Sequence, residues 1–139
     1  MNATDLSDEA SCTRLCNDFM HYIDQRQYDR VAELFTEDGR FDRKGTVYTG
    51  RDAIRQLFEA RPADVVIRHL CTNIRITLRS ENEASGQCYA VFFKGTAGSD
   101  AELPVVPSPA AVTEYHDEYV RTPSGWRIRE RRTKPIFAA

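Results

Sequence analysis

Apolar residues recur every three to four positions along the first part of the chain. They form one stripe that ends at a carboxylate, Asp24. This spacing is that of one face of an α-helix, and Ser7 followed by Asp8 and Glu9 is a typical helix start. The members of the stripe are Cys12, Leu15, Cys16, Phe19, Met20 and Ile23. The pattern predicts a helix from about Ser7 to Asp24 with one buried face.

Two shorter helices are predicted next. Apolar spacing favours one from Tyr28 to Phe35, and the turn-forming residues 36–39 (Thr-Glu-Asp-Gly) end it. Gly50 opens the other, which must be over at Pro62 because proline cannot continue a helix.

The remaining segments have the composition and alternation of β-strands. They are the arms of a small hairpin, Arg40 to Asp42 and Thr46 to Tyr48, and four longer strands, Val65 to Leu78, Ser85 to Lys94, Val112 to Arg121 and Trp126 to Lys134. Three helices followed by a long meander are typical of an α+β domain. A bent sheet wrapped around the first helix would form a cone with an apolar interior, which is a natural place for a ligand.

One connection is unusually long. The segment from Gly95 to Ala111 contains three prolines and an apolar patch, Leu103 to Val106. Loops of this length inside a small domain are usually functional or disordered. Its apolar centre favours the interpretation that this segment covers the cavity or forms a contact between subunits.

Composition places the chain among single globular domains. Its 139 residues are 41 % hydrophobic and 29 % charged, with a net charge of −2. This balance gives no electrostatic reason to expect nucleic acid or a membrane surface as a partner. The basic run from Arg127 to Lys134 is interpreted as the solvated face of the last strand. No apolar run is long enough to cross a membrane and the N-terminus is polar, so we expect a cytoplasmic protein.

The four cysteines follow no disulfide or metal-ligand spacing. We expect reduced packing residues at all four positions, namely Cys12, Cys16, Cys71 and Cys88. A metal site is also not favoured, because the candidate ligands His21, Asp24, His69 and His116 are not predicted to converge.

Asp24 and His69 carry the strongest chemical signal. Asp24 closes the apolar helix stripe, and His69 lies early in the first long strand. A carboxylate that faces an imidazole across an apolar cavity can move a proton near neutral pH. Two other interpretations stay open: Asp24 could be a water-facing carboxylate paired with Arg26 or Arg68, and His69 could be a satisfied core histidine.

The chain resembles the SnoaL-like branch of the nuclear transport factor 2-like superfamily from about Leu6 to Ile136. The matching motifs are Asp24-x-x-x-Tyr28-Asp29, Leu34 to Gly39, Tyr48-x-Gly50-Arg51-Asp52-Ala53-Ile54, Arg68-His69-x-x-x-Asn73 and Gly125 to Ile128. The resemblance implies the cone-shaped α+β barrel, in which a strongly bent mixed or antiparallel sheet wraps three N-terminal helices.

The resemblance also implies an activity. Scytalone dehydratase and the bile-acid dehydratases of this branch use an aspartate on the first helix and a histidine on the following long strand, and Asp24 and His69 resemble these two. The implied protein is a cofactor-independent lyase or isomerase acting on a small hydrophobic ring compound, such as a polyketide, terpenoid or steroid. At the positions where these enzymes have helper tyrosines, this chain has Ile23 and Phe19. The position of a second strand histidine in scytalone dehydratase corresponds to about Tyr89 of this chain.

These replacements keep an alternative open. The domain could be a non-catalytic module that binds a hydrophobic ligand or supports assembly, resembling the small subunit of ring-hydroxylating dioxygenases. In either case we expect a homo-oligomer, a dimer or trimer, because the outer sheet face would carry Ile74, Ile76 or their neighbours.

Alternation along the strand from Val112 to Arg121 places Thr113, Tyr115, Asp117 and Tyr119 on one face. If that face lines the cone, Tyr115 can hydrogen-bond a substrate oxygen and Asp117 can orient His69. Phe19, Tyr48 and Tyr89 are further candidates for contact with the substrate. Arg132 lies an even number of positions from Trp126 and Ile128 on the last strand, so alternation places it on the same face, at the cavity. A bulge in this strand would reverse that placement.

Overall fold

Two helices, a β-hairpin, a third helix and four long strands follow one another in the computed structural model, which describes residues 2–97, 103 and 111–138. The helices are α1 (Ala3–Asp24), α2 (Tyr28–Glu33) and α3 (Arg51–Glu59). The strands are β1 (Phe35–Arg43), β2 (Thr46–Thr49), β3 (Val65–Leu78), β4 (Glu83–Thr96), β5 (Ala111–Thr122) and β6 (Gly125–Ala138). The predicted order of elements is therefore confirmed.

The start of α1 differs from the prediction. The N-cap is Asn2, whose side-chain oxygen accepts a hydrogen bond from the Asp5 backbone N–H at 2.8 Å. The Asp5 carboxylate accepts in turn from the Asn2 backbone N–H at 3.2 Å, which completes a capping box. This box satisfies the free N–H groups one turn before Ser7, so Ser7 lies inside the helix. The whole apolar stripe of α1 is buried.

The predicted turn at residues 36–39 is wrong. Strand β1 begins at Phe35 and includes these residues, and its pairing with β6 shifts register between Phe35 and Arg40. The extra residues are taken up by this irregularity, where Gly39 comes so close to Phe35 that a Cβ on it would lie 2.8 Å from the Phe35 Cβ. Turn-forming residues are used here to bend a strand.

The six strands form one mixed sheet in the order β2-β1-β6-β5-β4-β3. The β1–β6 pair is parallel and the other pairs are antiparallel. The sheet curls around α1 and gives the expected cone-shaped α+β fold. An aromatic cluster fills its centre, with ring centroids 5.7–6.2 Å from that of Phe19; its other members are Phe35, Phe41, Phe58 and Tyr115.

A bulge in β3 changes which residues face inward. The β3–β4 register shifts between Thr72 and Arg75, and Asn73 adopts a left-handed backbone with φ of 52°. As a result Ile74 and Ile76 pack against the core, so our placement of them on the outer face is wrong. The exposed apolar residues of that face are Leu70 (57 % exposed), Tyr89 (39 %) and Phe137 (68 %).

A second bulge in β6 decides which arginine is buried. Pairing with β5 shifts register between Glu118 and Tyr119, whose partners are Glu130 and Ile128. The skipped residue, Arg129, reverses the alternation beyond it. Arg131 therefore faces the core with 0 % exposure, whereas Arg132 faces outward. The parity that would place Arg132 at the cavity does not hold.

The predicted cover, Gly95 to Ala111 with its apolar patch, lies mostly outside the described residues. Its attachment points are described: Thr96 of β4 pairs with Val65, and Ala111 of β5 pairs with Phe92. Phe92 is itself the partner of His69 on β3. The connection thus joins the sheet at the end where His69 lies. Among the described residues, no helix has the length and apolar character needed to span a bilayer.

Candidate active site

Asp24 and His69 meet at one end of the cone. Asp24 is the last residue of α1, and His69 faces inward from β3. One carboxylate oxygen, Oδ1, lies 2.5 Å from His69 Nδ1, and Oδ2 accepts the His69 backbone N–H at 2.8 Å. Both side chains are only 8 % exposed. Because both oxygens bind one residue, the ring is fixed relative to the helix end.

This geometry assigns the tautomer of His69. The neutral ring donates its Nδ1 proton to the carboxylate, which leaves the Nε2 lone pair unprotonated. In the part of the chain that the structure describes, no group hydrogen-bonds to Nε2. The Phe92 ring lies beside the imidazole at a centroid distance of 5.4 Å. An imidazole held by a carboxylate on one nitrogen and open on the other has the geometry of a general base.

The alternative pairing of Asp24 with Arg26 or Arg68 does not occur. Arg68 reaches the backbone carbonyl of Asp24, at 3.4 Å, and not its carboxylate. Arg26, which has a left-handed φ of 60°, donates to the Pro62 carbonyl at 2.8 Å and also to the Val65 carbonyl. Arg26 therefore ties the end of α1 to the segment that leads into β3, which helps to bring Asp24 up to His69.

Tyr115 offers a hydrogen-bond donor inside the cone. Its side chain faces inward from β5 with 7 % exposure, and its ring lies 6.0 Å from that of Phe19. Among the described residues its hydroxyl has no hydrogen-bond partner. Burial is the main cause that raises the pKa of Tyr115, to about 12. The hydroxyl therefore stays protonated at neutral pH and can donate to a ligand oxygen.

A buried ion pair lies deeper in the cone. Arg131 donates to the two carboxylate oxygens of Asp117, at 2.7 Å from Nε and 2.7 Å from Nη2. Tyr119 donates its hydroxyl to the same carboxylate at 2.6 Å. Asp117 therefore does not orient His69, and this predicted role is wrong. Burial alone would lower the pKa of Arg131, but the contacts with Asp117 raise it well above the ordinary value, so the group stays charged.

Aromatic faces enclose the Arg131 guanidinium. Its central carbon lies 4.4 Å from the Phe19 ring centroid and 4.7 Å from that of Tyr115. Its Nη1 is buried and has no hydrogen-bond partner among the described residues. Contact with the two electron-rich ring faces compensates part of this cost. Arg131 thus serves the packing of the core.

Cys16, Cys88 and Asp117 resemble a metal-ligand set, since their ligand atoms lie within 4.8 Å of one another. Arg131 already supplies a cation there, because its Nη2 lies 3.4 Å from Cys16 Sγ and 3.9 Å from Cys88 Sγ. A hydrogen bond with Cys88 and burial raise the pKa of Cys16 far above that of a free thiol. Metals bind the thiolate form, so these residues do not fit a metal ion.

The other predicted residues lie in different surroundings. Phe19 is fully buried at the centre of the aromatic cluster, and Tyr48 on β2 is half-buried against the same core. Tyr89 points to the outer face of the sheet, so it cannot line the interior. His21 is exposed on α1, and His116 lies on the outer face with Nε2 2.7 Å from the Glu114 carboxylate. Sequence reasoning missed Arg131, because no pattern in the chain reveals the β6 bulge.

Three open clefts in the described part of the chain lie away from Asp24 and His69. One of about 290 Å³ is on the outer sheet face beside Arg75, His116 and Arg132. Another of about 690 Å³ lies between α1, α2 and the start of β6, and the third lies on the surface of α1. None of them is lined by the Asp24–His69 pair.

Comparison with known proteins identifies the type of domain. A family model described as a SnoaL-like domain matches residues 4–132. None of the curated proteins matches the chain. Among solved structures, a protein of unknown function from Mycobacterium tuberculosis is 27 % identical, with a TM-score of 0.83 over 98 % of this chain and 77 % of that one.

Two further structures share the fold at lower identity. A candidate scytalone dehydratase from Novosphingobium aromaticivorans is 21 % identical, with a TM-score of 0.83 over 100 % of this chain and 91 % of that one. A hexachlorocyclohexane dehydrochlorinase from Novosphingobium barchaimii is 19 % identical, with a TM-score of 0.82 over 98 % of this chain and 91 % of that one.

Proposed function

Because the chain belongs to the SnoaL-like domain family, we propose that it is a cofactor-independent acid–base enzyme of the dehydratase or isomerase type. The observation that carries the proposal is the pairing of Asp24 with His69 Nδ1, which leaves Nε2 open. Two structures with the same fold carry the names of a dehydratase and a dehydrochlorinase, and both names denote elimination reactions. The proposed substrate is a small hydrophobic ring compound with a carbonyl and a hydroxyl, such as a polyketide, terpenoid or steroid.

His69 would perform the proton transfers. Its Nε2 takes the proton from the carbon next to the substrate carbonyl, and the electron pair of that C–H bond moves toward the carbonyl. The imidazolium formed is stabilised by Asp24 and then protonates the hydroxyl on the neighbouring carbon, which leaves as water. The balance is one C–H and one C–O bond broken, and one C=C bond and one water formed. Transfer by a positioned group of this kind accelerates a reaction about 10²- to 10⁴-fold.

Tyr115 would bind the carbonyl oxygen. Negative charge develops on that oxygen as the proton leaves, and a neutral phenol that donates a hydrogen bond stabilises it. The high pKa of Tyr115 keeps it in the donor form, and its hydroxyl is not consumed by another residue of the described structure. Phe19 and the aromatic side chains around it would contact the apolar rings of the substrate.

A ligand panel tests this proposal. Wild type, Asp24→Asn and His69→Ala are compared in thermal shift with steroid, terpenoid and aromatic polyketide compounds, and hits are incubated and analysed by mass spectrometry for loss of water. We expect one class to stabilise the wild type and to be dehydrated, with turnover at least about 10²-fold lower in both variants. Asp18→Asn is the matched control, since Asp18 lies on the same helix and pairs at the surface with Arg14. Full turnover in both dyad variants would contradict the proposal.

A second candidate is a non-catalytic module that holds a hydrophobic ligand or supports a partner. The aromatic filling of the interior favours it, as do Ile23 and Phe19 at the places of helper tyrosines. In the same experiment this candidate predicts stabilisation by a ligand without any product, or no response to any compound.

A further inference from the structure

The chain ends α1 with a Schellman motif in which an arginine takes the position that is usually glycine. The backbone N–H of Gln27 donates to the Tyr22 carbonyl at 2.8 Å, and that of Arg26 donates to the Ile23 carbonyl at 3.1 Å. The Arg26 backbone is left-handed, with φ of 60°. This conformation is easy for glycine and costly for a residue with a Cβ, so contacts of the arginine side chain must compensate it.

The Arg26 side chain binds the turn that leads into β3. Its Nη2 donates to the Pro62 carbonyl at 2.8 Å and also to the Val65 carbonyl. These two carbonyls belong to one turn, since the Val65 N–H donates to the Pro62 carbonyl at 3.2 Å. Nη1 lies 3.4 Å from the hydroxyl of Tyr28, whose ring stacks on that of Phe58 with centroids 6.1 Å apart. The guanidinium is therefore held by groups from α2 and from the start of β3.

The end of α1 thus contacts β3 at two separate points. Asp24 binds His69, and Arg26 binds Val65, which precedes His69 by four residues on the same strand. Four residues of strand span about 13 Å. One contact alone would let the helix end turn about it, whereas two contacts at this spacing fix the direction of the carboxylate as well as its position. The strand between them is paired with β4 at every residue, so it is a rigid support.

A helix end is otherwise a poor place for a carboxylate that must be held in one position. The last carbonyls of a helix carry the negative end of its dipole, and the last turn frays easily. Arg68 donates to the Asp24 carbonyl only at 3.4 Å, and its shorter bond, of 2.8 Å, goes to the adjacent Ile67 carbonyl. Apart from the bonds of Asp24 itself, the shorter contacts between this helix end and the start of β3 are therefore those of Arg26.

We infer that Arg26 is a positioning residue for the Asp24–His69 pair. It keeps the carboxylate on His69 Nδ1 and thereby keeps Nε2 in the form that accepts a proton. The inference rests on the proposed function and names a residue outside the pair on which the rate depends. Arg26 acts through Asp24 and touches no reacting atom. A misplacement of about 1 Å in a reacting group can lower a rate about 10²-fold, so a loosened helix end has a measurable effect.

Three variants separate positioning from general stability. Arg26→Gln removes the guanidinium, and Arg26→Lys keeps a cation with several donors. Arg26→Gly removes the side chain at a backbone position that suits glycine. The proton on His69 is located in each by a long-range ¹H–¹⁵N spectrum without ligand, and turnover is measured with the compound that the ligand panel identifies. Arg51→Gln is the matched control, because Arg51 also donates twice to a backbone carbonyl, that of Phe35, at 3.0 and 2.8 Å.

We expect Arg26→Gln and Arg26→Gly to lose the preference for a proton on Nδ1. Their kcat should fall about tenfold or more, with KM changed less than about twofold, because positioning acts on the transition state. Arg26→Lys should restore most of both properties. Arg26→Gly should keep a thermal midpoint within about 3 °C of the wild type, since relief of the backbone offsets the lost bonds. Arg51→Gln should lower the midpoint without changing the tautomer or kcat.

The outcomes distinguish this inference from the proposed function. A wild-type tautomer and kcat in both Arg26→Gln and Arg26→Gly would overturn the inference and leave the proposed function standing. If Arg26→Gln does not fold, Arg26→Gly gives the same comparison. Absence of product from every compound with the wild type would overturn the proposed function. The spectra need no substrate, so a shifted tautomer in the Arg26 variants would still support the positioning of His69 by Arg26.

Discussion

Two carboxylates in the interior are used in opposite ways. Asp24 directs both oxygens at His69 and leaves the distal nitrogen of the ring without a partner. Asp117 receives two bonds from Arg131 and one from Tyr119, so its acceptors are occupied and the guanidinium is enclosed by rings. The first arrangement keeps His69 Nε2 available. The second one joins β5 to β6 and, through the Phe19 ring under the guanidinium, to α1. Only the first is suited to chemistry on a ligand.

This distinction predicts that Asp117 matters for stability. Asp117→Asn leaves a charged guanidinium at 0 % exposure without its counter-charge. Breaking one partner of a buried pair typically costs about 3–5 kcal/mol. We expect a loss of this size in the free energy of unfolding, measured by urea denaturation at neutral pH.

The surface carboxylate Asp18 gives the control. Asp18→Asn should change the free energy of unfolding by less than about 0.5 kcal/mol, since exposed ion pairs contribute little. The double variant Asp117→Leu with Arg131→Met should recover most of the loss, because an apolar pair of similar size needs no counter-charge. A loss below about 1 kcal/mol in Asp117→Asn would contradict the structural role of the pair.

At the scale of elements, two bulges decide which side chains enter the cone. The Asn73 bulge lets His69 and Cys71 face inward before it and Ile74 and Ile76 after it. The shift at Arg129 buries the arginine at position 131. A one-residue shift exchanges the two faces of a strand, so bulges redefine the interior without changing where a strand begins or ends.

The two bulges explain which parts of the structure could be predicted from the sequence and which could not. The α1 stripe, the extent of β3 and the pairing of Asp24 with His69 follow from apolar spacing together with family resemblance, and the structure agrees with them. Parity beyond a bulge could not be predicted, because strand alternation assumes an unbroken register. Alternation or alignment alone places Tyr89 and Arg132 at the cavity, but both side chains face outward.

The β3 bulge predicts a specific sensitivity at Asn73. Its φ of 52° suits asparagine and glycine but not a β-branched residue. Asn73→Val should lower the free energy of unfolding by about 1–3 kcal/mol, whereas Asn73→Gly should cost less than about 1 kcal/mol. Thr77→Val, at an outward position of the same strand, is the control and should be nearly neutral. Equal stability of Asn73→Val and wild type would show that the bulge does not depend on this backbone conformation.

At the scale of the whole molecule, the outer sheet face carries an apolar row. Leu70, Val91, Val112 and Phe137 are paired in sequence across β3, β4, β5 and β6. The two ends of the row, Leu70 and Phe137, are 57 % and 68 % exposed. Monomeric proteins seldom expose contiguous apolar surface of this kind. We therefore propose that copies of the chain associate through this face.

If copies of the chain associate through this row, a charge introduced into the row should lower the mass of the particle in solution. Leu70→Asp should shift the protein from an oligomer to a monomer in light scattering with size exclusion, because it buries a charge at the contact. Val47→Asp is the control, since Val47 is an exposed apolar residue on β2 and lies outside the row. A wild-type monomer at all concentrations would contradict this, as would equal dissociation by the control variant.

In the proposed mechanism Asp24 holds His69 with Nε2 free to accept a proton. The most direct measurement is a long-range ¹H–¹⁵N spectrum of ¹⁵N-labelled protein, in which His69 is assigned by its loss in His69→Gln among the three histidines. We predict that neutral His69 carries its proton on Nδ1 and that Asp24→Asn removes this preference, whereas Asp18→Asn does not. A wild-type His69 with its proton on Nε2 would contradict the account.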